Sequence, residues 1–185
     1  MAIFLWSDLH FGHDREFIWG PRGYNSIEEH DEDLIKKWNS IVGDHDDVYV
    51  LGDLMLGDNE TGLEKLKSLC GKIHIVRGNH DSATRMELYK TLPNVVEIAD
   101  VIRFKYKKIH FYLSHYPTLT ANLEKESIYQ CEIALFGHTH QKELFYQDMP
   151  FMYNVGVDSH PLGPVLIDNV ISDIKIEVEK CKMYL

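Results

Sequence analysis

Three short apolar runs, separated by amphipathic stretches, constrain the fold of this chain more than any other feature of its sequence. The runs are AIFLWS at 2–7, DVYVLG at 47–52 and KIHIVR at 72–77. Each is nearly continuously apolar, as expected of a strand that is covered on both faces. The stretches between them, 27–41 and 61–69, are predicted as helices because their apolar residues recur at helical spacing. The order β-α-β-α-β predicts an α/β domain with a largely parallel first sheet.

The second half of the chain has a different pattern, in which short apolar runs follow one another with brief connections. We predict strands here at 99–106, 108–114, 132–136, 143–146, 151–155, 164–168 and 171–179. Short connections favour antiparallel pairing. The last run is assigned to a half-exposed strand because Ile174, Ile176 and Val178 alternate with charged residues. Residues 116–130 are predicted as a longer loop with a helical piece, in a position to flank a site.

Length and composition limit the classes of protein to consider. The 185 residues suffice for one domain with a real core, and we find no linker or repeat, so we predict a single domain over 1–185. The net charge of -10 argues against wide contact with nucleic acid, which favours a basic surface. Three scattered cysteines predict no disulfide framework. With no signal peptide, and no apolar run near the ~20 residues of a membrane span, we expect a cytoplasmic protein that binds no membrane.

Polar residues that can bind metal follow directly after five of the apolar runs. They lie in SDLHFGH, LGDLMLG and RGNHD of the first half, and in LSH and FGHTH of the second half. The carboxyl ends of strands are where ligands bind in open α/β sheets. Each motif taken alone is also explained by turn or capping chemistry. Five of them at predicted strand ends indicate one shared site.

The residue types in these motifs favour a pair of divalent metals. Carboxylate oxygen, amide oxygen and imidazole nitrogen, without thiolate, suit Mn, Fe, Zn, Ni or Co better than Ca or Mg. In a locally extended chain, residues two apart such as Asp8 and His10, or His138 and His140, point the same way. A carboxylate can bridge two metals, and two metals about 3.5–4 Å apart lower the pKa of a shared water from about 15.7 to roughly 7.

On these motifs the sequence resembles the calcineurin-like metallophosphoesterases, above all their compact single-domain bacterial and phage-type members. The resemblance rests on D-x-H at 8–10, GD at 52–53, GNHD at 78–81, His115 and GHTH at 137–140, and so spans most of the chain. It implies an α/β fold built as a four-layer sandwich of two mixed β-sheets flanked by helices. It also implies hydrolysis of phosphate esters by a hydroxide that bridges two metals.

The resemblance assigns a role to each motif residue. The seven implied ligands are three for a first metal (Asp8, His10, His140), three for a second metal (Asn79, His115, His138) and one bridge (Asp53). His80 is implied as the residue that contacts the phosphoryl oxygens or protonates the leaving group, with Asp81 orienting its ring. We expect two divalent ions, manganese first, with Fe, Zn, Ni or Co as alternatives.

One departure from the family concerns the substrate. Protein phosphatases of this superfamily follow the bridging aspartate's motif with an arginine that binds phosphate, whereas Asp53 is followed here by Leu-Met-Leu-Gly. This argues against a phosphoprotein phosphatase and favours a small phosphorylated substrate. Phosphodiesters are favoured, because no arginine is evident to bind the dianion of a monoester. A phosphomonoesterase on a small metabolite, an inactive scaffold of the same fold and a nuclease are the alternatives, the last opposed by the acidic composition.

Residues outside the motifs are candidates for supporting roles. His13, Arg15 and Arg22 lie near the first motif and are candidates for substrate contacts, although a surface or scaffold role is favoured for each. Asn154 and Asp158 follow a predicted strand end after GHTH. They are candidates for outer partners of the ligating histidines, with a turn as the alternative.

Overall fold

A computed structural model of the chain describes residues 1–122 and 127–183. The strands are β1 (Ile3–Trp6), β2 (Asp47–Val50), β3 (Lys72–Val76), β4 (Val95–Ala99), β5 (Ile102–Tyr106), β6 (Ile109–Leu113), β7 (Glu132–Phe136), β8 (Met152–Asn154) and β9 (Val165–Leu166). The helices are α1 (Glu16–Trp19), α2 (Ile27–Ile41), α3 (Asn59–Lys67), α4 (Ala83–Tyr89) and α5 (Ile167–Met183).

The strands form two mixed sheets. The first has the order β4-β3-β2-β1-β9, with β1 to β4 parallel and β9 antiparallel to β1. The second has the order β5-β6-β7-β8. Only β5 and β6 pair antiparallel there, while β6–β7 and β7–β8 are parallel. The second half is therefore more parallel than its short connections suggested, and the predicted fold of two mixed sheets with flanking helices is confirmed.

The core is divided by the first sheet. The larger cluster lies between the sheets and combines residues such as Leu5 and Leu51 with Phe111 and Leu135 of the second sheet. The other face of the first sheet carries Trp6 and neighbours, covered by Trp38 of α2 and by residues of α3 and α4. Because both faces of the first sheet are buried, its strands have the continuous apolar runs seen in the sequence.

Side-chain caps define the starts of three helices. Ser26, Asp58 and Ser82 each accept a hydrogen bond from the backbone N–H three residues on, at the starts of α2, α3 and α4. Helix α2 has the predicted bounds, and α3 begins two residues earlier than predicted. The sequence did not predict α1, α4 or β4, which are short elements of seven residues or fewer.

Two predicted strands are wrong. Residues 171–179 belong to α5, whose residues Ile167, Val170, Ile171, Ile174 and Val178 are buried at helical spacing in the cluster between the sheets. The alternation at the end of this stretch also fits a helix, because Ile176 is simply its exposed residue. Residues 143–146 form no strand, although Phe145 makes an isolated bridge to Tyr153. Within the predicted loop 116–130, residues 123–126 lie outside the described part of the chain.

The sheet topology brings the predicted site together. Strands β1, β2 and β3 are parallel, so their carboxyl ends lie at one edge of the first sheet, and β6 and β7 end together in the second. The two edges meet where Ser7 bridges Gly156 and where a Cβ on Gly137 would overlap the side chains of Ser7 and Asp8. In the described part of the chain no helix is long and apolar enough to cross a membrane.

Candidate metal centre

The seven predicted ligands converge at the meeting point of the two sheets. Asp8 and His10 follow β1, Asp53 follows β2, Asn79 follows β3, His115 follows β6, and His138 and His140 follow β7. We call Asp8, His10 and His140 the Asp8 side of the centre. Asn79, His115 and His138 form the Asn79 side, and Asp53 lies between the two sides.

The Asp8 side brings two imidazoles and a carboxylate together. Nε2 of His10 lies 3.2 Å from Nε2 of His140 and 3.7 Å from Oδ2 of Asp53. Nε2 of His140 lies 3.9 Å from Oδ1 of Asp8. These atoms converge closely enough that one cation can contact a carboxylate oxygen and two ring nitrogens.

The Asn79 side is built around His115. Its Nε2 lies 2.8 Å from Oδ1 of Asn79, 3.2 Å from Nδ1 of His138 and 3.4 Å from Oδ2 of Asp53. The same carboxylate oxygen of Asp53 therefore faces both sides. Ligand atoms on both sides of this carboxylate fit a pair of divalent metals, and the nitrogen and oxygen donors are those that Mn, Fe, Zn, Ni and Co accept. A third group, His10, Asp53 and His80, also lies close enough together to hold an ion.

Five of these seven residues have a left-handed backbone. The φ angles are 61° at Asp8, 52° at His10, 55° at Asp53, 66° at His138 and 51° at His140. The chain is thus not locally extended at the two i, i+2 pairs, as the sequence interpretation assumed. Such conformations are costly for residues other than glycine and concentrate at functional sites. The surrounding fold holds them in place and aims the side chains inward.

Two glycines allow the strand ends to approach each other. A Cβ on Gly78 would overlap the carboxylate of Asp53, and a Cβ on Gly137 would overlap the side chains of Ser7 and Asp8. The glycine of GNHD is therefore required by close packing against the shared carboxylate. The glycine of GHTH is required in the same way against Asp8.

A network of charged residues supports the Asp8 side. Asp158 places Oδ2 3.0 Å from Nδ1 of His140, and Arg22 donates to both of its oxygens at 3.0 and 2.8 Å. Arg22 also donates to the backbone carbonyl of Asp8 (3.0 Å) and contacts Nε2 of His30 (2.9 Å). The Arg22 side chain is 4% exposed. The network continues from His30 to Asp31, which also contacts Lys65.

Neutral groups support the Asn79 side. Nδ1 of His115 lies 2.8 Å from the backbone carbonyl of Leu51, which fixes its proton there and leaves Nε2 free for a metal. The ring of Tyr116 packs edge-on against His138, with 4.6 Å between centroids. The two sides therefore have similar ligands but different outer contacts.

Burial and charge determine the protonation of the ligands. Burial lowers the pKa of His10 to about 2, so this ring is neutral and able to bind metal at any physiological pH. Burial opposes charge on Asp53 and His115 as well, but their mutual hydrogen bond and attraction prevail. The pKa of Asp53 is lowered to about 2 and that of His115 is raised to about 8. A metal at this position takes over the charge balance that a proton on His115 otherwise provides.

His80 lies at the edge of the centre, while Asp81 lies beneath it. Nε2 of His80 is 4.0 Å from Oδ2 of Asp53, and its side chain is 38% exposed toward the cleft. The prediction that Asp81 orients this ring is wrong. Both Asp81 oxygens accept hydrogen bonds elsewhere, from the backbone N–H groups of Asp53, Leu54 and Gly78 and from the hydroxyl of Tyr89. Asp81 therefore fixes the loop that carries the shared carboxylate.

The three predicted substrate contacts have different environments. His13 lines the cleft above the centre, with its Nδ1 3.2 Å from Nδ1 of His10. Arg15 is exposed and precedes α1. Arg22 differs from its prediction as a substrate contact, because Asp158, His30 and the carbonyl of Asp8 occupy its nitrogens. It is a scaffold residue, which is the role that the sequence favoured.

The two candidate outer partners of the ligating histidines, Asn154 and Asp158, have different roles. Asp158 contacts a ligating histidine, as described above. Asn154 instead binds the carbonyls of Gln141 and Glu143 and the N–H of Gly156, so it fixes the chain after GHTH. These roles depend on contacts between distant segments, which sequence order does not reveal.

Sequence reasoning missed one wall of the cleft and one support of His80. The cleft has a volume of about 530 Å³, and Phe17, Ile18 and Pro21 form an apolar wall beside the metal ligands. Arg85 of α4 donates to the carbonyl of His80 (2.9 Å). The aromatic and apolar residues of α1, directly after the first motif, are the sequence feature that could have predicted this wall. Arg85 gave no signal of its own.

Comparisons with known proteins agree with the geometry. A calcineurin-like phosphoesterase superfamily domain matches residues 1–174. The chain is 32% identical over 181 residues to an uncharacterized protein of Methanocaldococcus jannaschii, covering 94% of this chain and 91% of that protein. It is 28% identical to the gene 66 protein of mycobacterium phage D29, covering 94% and 97%. A crystal structure of an Aquifex aeolicus protein of unknown function has the same fold, with a TM-score of 0.70 at 22% identity over 92% of this chain and 98% of that one. This chain belongs to the calcineurin-like phosphoesterase superfamily.

Proposed function

We propose that this metal-dependent phosphohydrolase uses two manganese ions to hydrolyse small phosphodiesters. The observation that carries the proposal is the position of Asp53, whose Oδ2 lies within 4 Å of ring nitrogens on both sides of the centre. A carboxylate in that position is suited to bridge two cations. Two bridged cations would supply an activated water and charge neutralisation for an in-line displacement at phosphorus.

The chain's own residues would bind the metals and orient the reacting groups. Asp8, His10 and His140 would hold one ion, Asn79, His115 and His138 the other, and Asp53 both. The Leu51 carbonyl keeps the proton of His115 on Nδ1, and Asp158 does the same for His140, so each presents Nε2 to the metal. Neither ring has to reorient when the metals bind.

His80 is our proposed donor to the leaving group. It borders the cleft, is partly exposed, and is held through its backbone by Asp53 and Arg85. An imidazole N–H at this position can donate to a phosphoryl oxygen or to the departing alkoxide. Its function then needs no contact with Asp81.

His13 is our proposed second contact to the phosphate. When His10 binds metal through Nε2, its ring proton is on Nδ1 and forms a hydrogen bond to Nδ1 of His13. His13 must then carry its own proton on Nε2. Because its ring lines the cleft 5.7 Å from the ring of His80, this N–H is available to a phosphoryl oxygen.

The cleft supports diesters over monoesters. A monoester dianion carries an additional negative charge, yet the buried Arg22 is neutralised by Asp158. The described residues that line the cleft beyond the ligands include the apolar Phe17, Ile18 and Pro21. Such a wall suits a second organic substituent on phosphorus better than an additional anionic oxygen.

The test compares two chromogenic substrates with the same leaving group. Protein stripped by a chelator and reloaded with Mn²⁺ is assayed on p-nitrophenyl phosphate and bis(p-nitrophenyl) phosphate, with Asp53→Ala as the inactive control. We expect a higher kcat/KM on the diester and activity that depends on returned metal. A higher kcat/KM on the monoester would contradict the diester assignment. Equal activity of wild type and Asp53→Ala would contradict the metal centre.

A further inference from the structure

We propose that the substrate carries a neutral, ring-bearing group that stacks on Phe17 and extends along a groove beside α1. The proposal rests on the phosphoesterase function above and specifies the organic group esterified to the phosphate. It is carried by three observations: the exposure of Phe17 next to the cleft, the continuity of cleft and groove, and the charge of the groove.

Phe17 is exposed at a position where an aromatic ring can contact the substrate. Its side chain is 70% exposed, whereas its neighbour Ile18 is buried and fixes α1 to the body of the protein. The ring contacts His13 edge-on, with 5.7 Å between centroids and an interplanar angle of 86°. Because the contact uses an edge geometry and the residue is largely exposed, ring surface remains free to stack.

His13 connects Phe17 to the reacting centre. Its ring lies 5.7 Å from the ring of Phe17 and 5.7 Å from the ring of His80. Phe17 and His80 are thus both neighbours of His13 at the same cleft. An organic group esterified to a phosphate beside His80 can extend toward Phe17.

The metal cleft continues into a second groove. Phe17 and Pro21 line both the cleft and an adjoining groove of about 780 Å³, whose other walls include Trp19 and Tyr24. The cleft and the groove therefore adjoin at these two shared residues. Its aromatic walls and its volume suit a flat group of one or more rings.

The charge of the groove selects a neutral group. Among the described residues that line it, Glu16 is acidic and none is Lys or Arg. An additional phosphate or carboxylate on the substituent would meet the charge of Glu16. Lys37 contacts Tyr24 of the groove, but its charge is paired with Asp33. A polynucleotide, which repeats its phosphate at every step, is therefore disfavoured, and a single neutral ring system is favoured.

The first experiment measures the ring contact with a matched pair of inhibitors. Phenylphosphonate and methylphosphonate have the same anionic group and differ by the ring. Against bis(p-nitrophenyl) phosphate hydrolysis by the Mn²⁺-loaded protein, we expect phenylphosphonate to bind about tenfold more tightly, the scale of one stacking contact. Phe17→Ala should remove this difference, with the larger change in the inhibition constant of phenylphosphonate. Ile176→Ala, an exposed apolar truncation on α5, should leave both constants unchanged.

The second experiment measures the preference for a neutral group. We expect 4-carboxyphenylphosphonate to inhibit the wild-type protein several-fold less well than phenylphosphonate, and Glu16→Lys to reverse that order. Equal inhibition of wild type by phenyl and methyl phosphonates, or an unchanged difference in Phe17→Ala, overturns the stacking contact. An unchanged order in Glu16→Lys overturns the charge argument.

The outcomes also separate this inference from the proposed function. If the Mn²⁺-loaded protein hydrolyses no ester, the proposed function fails, and calorimetric titration with the same phosphonates still measures the ring contact. If hydrolysis is metal-dependent but the two phosphonates bind equally, only the ring contact fails.

Discussion

The two sides of the metal centre present nearly the same ligands but are supported differently. On the Asp8 side, the outer contacts are charged and come from side chains, chiefly Asp158 and Arg22. On the Asn79 side, they are neutral, and the main one is the backbone carbonyl of Leu51. A backbone contact persists when side chains change, whereas a buried ion pair can be broken by one substitution. The comparison teaches that the Asp8 side is the one that single substitutions can weaken selectively.

The largest effect is expected from a substitution that weakens both sides of the centre at once. Asp53→Ala deletes the oxygen that both sides share, so His10 and His115 both lose their contact with this carboxylate. We expect both metals to be lost. Because loss of an outer contact costs up to about 100-fold, turnover should fall by more than that when the shared ligand itself is removed. Metal content by elemental analysis and hydrolysis of bis(p-nitrophenyl) phosphate measure the two losses. Retention of one tightly bound metal would mean that the sides do not depend on Asp53 equally.

The second prediction concerns the Asp8 side alone. Asp158→Asn removes the charge that faces Nδ1 of His140 and leaves Arg22 buried without its counter-ion. We expect affinity for one of the two Mn²⁺ ions to fall about 10- to 100-fold. Calorimetric titration of Mn²⁺ into protein stripped by a chelator should resolve one weakened and one unchanged site. Asp168→Asn is the matched control, because Asp168 pairs with Lys107 at the surface. Equal weakening of both sites would contradict the separation of the two sides.

The third prediction concerns the Asn79 side and is smaller. Tyr116→Leu removes the ring that contacts His138, but leaves the Leu51 carbonyl on His115 unchanged. Since an exposed aromatic contact contributes about 0.5–1.5 kcal/mol, we expect affinity for the other Mn²⁺ ion to fall less than about tenfold. The same titration measures it. A loss as large as that of Asp158→Asn would show that the Asn79 side depends on its side-chain contacts too.

The last prediction tests the fold apart from either side of the centre. Burial, with the nearby charges of Asp47 and Glu97, raises the pKa of Tyr49 from 10.0 to about 12. The native state therefore holds the phenol neutral at pH values where the unfolded chain ionises it. Stability from this group is complete below pH 10 and is lost as the pH rises toward about 12. Urea unfolding of the chelated protein at pH 8, 10 and 11 should show a fall that is smaller in Tyr49→Phe. Tyr129→Phe, which alters an exposed tyrosine, should behave as wild type.

Much of the first half of the fold was predictable because its local patterns and its tertiary environment agree. The runs at β1, β2 and β3 are continuously apolar since both faces of their sheet are covered, and α2 has its predicted bounds. Helix α5 was not predictable from Ile174, Ile176 and Val178, whose spacing fits either period. Its burial against both sheets decides the matter. The single domain and the cytoplasmic location stay predictions.

The candidate site divides in the same way. The Asp, Asn and His residues after successive strands indicated one shared metal site, and the family resemblance implied which seven of them are ligands. The resemblance implied that Asp81 orients the neighbouring His80, but the Asp81 carboxylate instead accepts hydrogen bonds from the backbone N–H groups of Asp53 and Gly78. The pairing of Arg22 with Asp158 could not be predicted, because the two residues lie 136 positions apart in the sequence.

The sequence by itself determined the chemistry of this protein: oxygen and nitrogen donors, without thiolate, placed where parallel strands end. Those features are local, since side-chain type and strand pattern are written residue by residue. Only the tertiary structure decided which ligands are backed by charge, that five of them have left-handed backbones, and that Phe17 borders the cleft. These depend on contacts between distant segments, whose pairing is fixed when the two sheets pack and their strand ends meet.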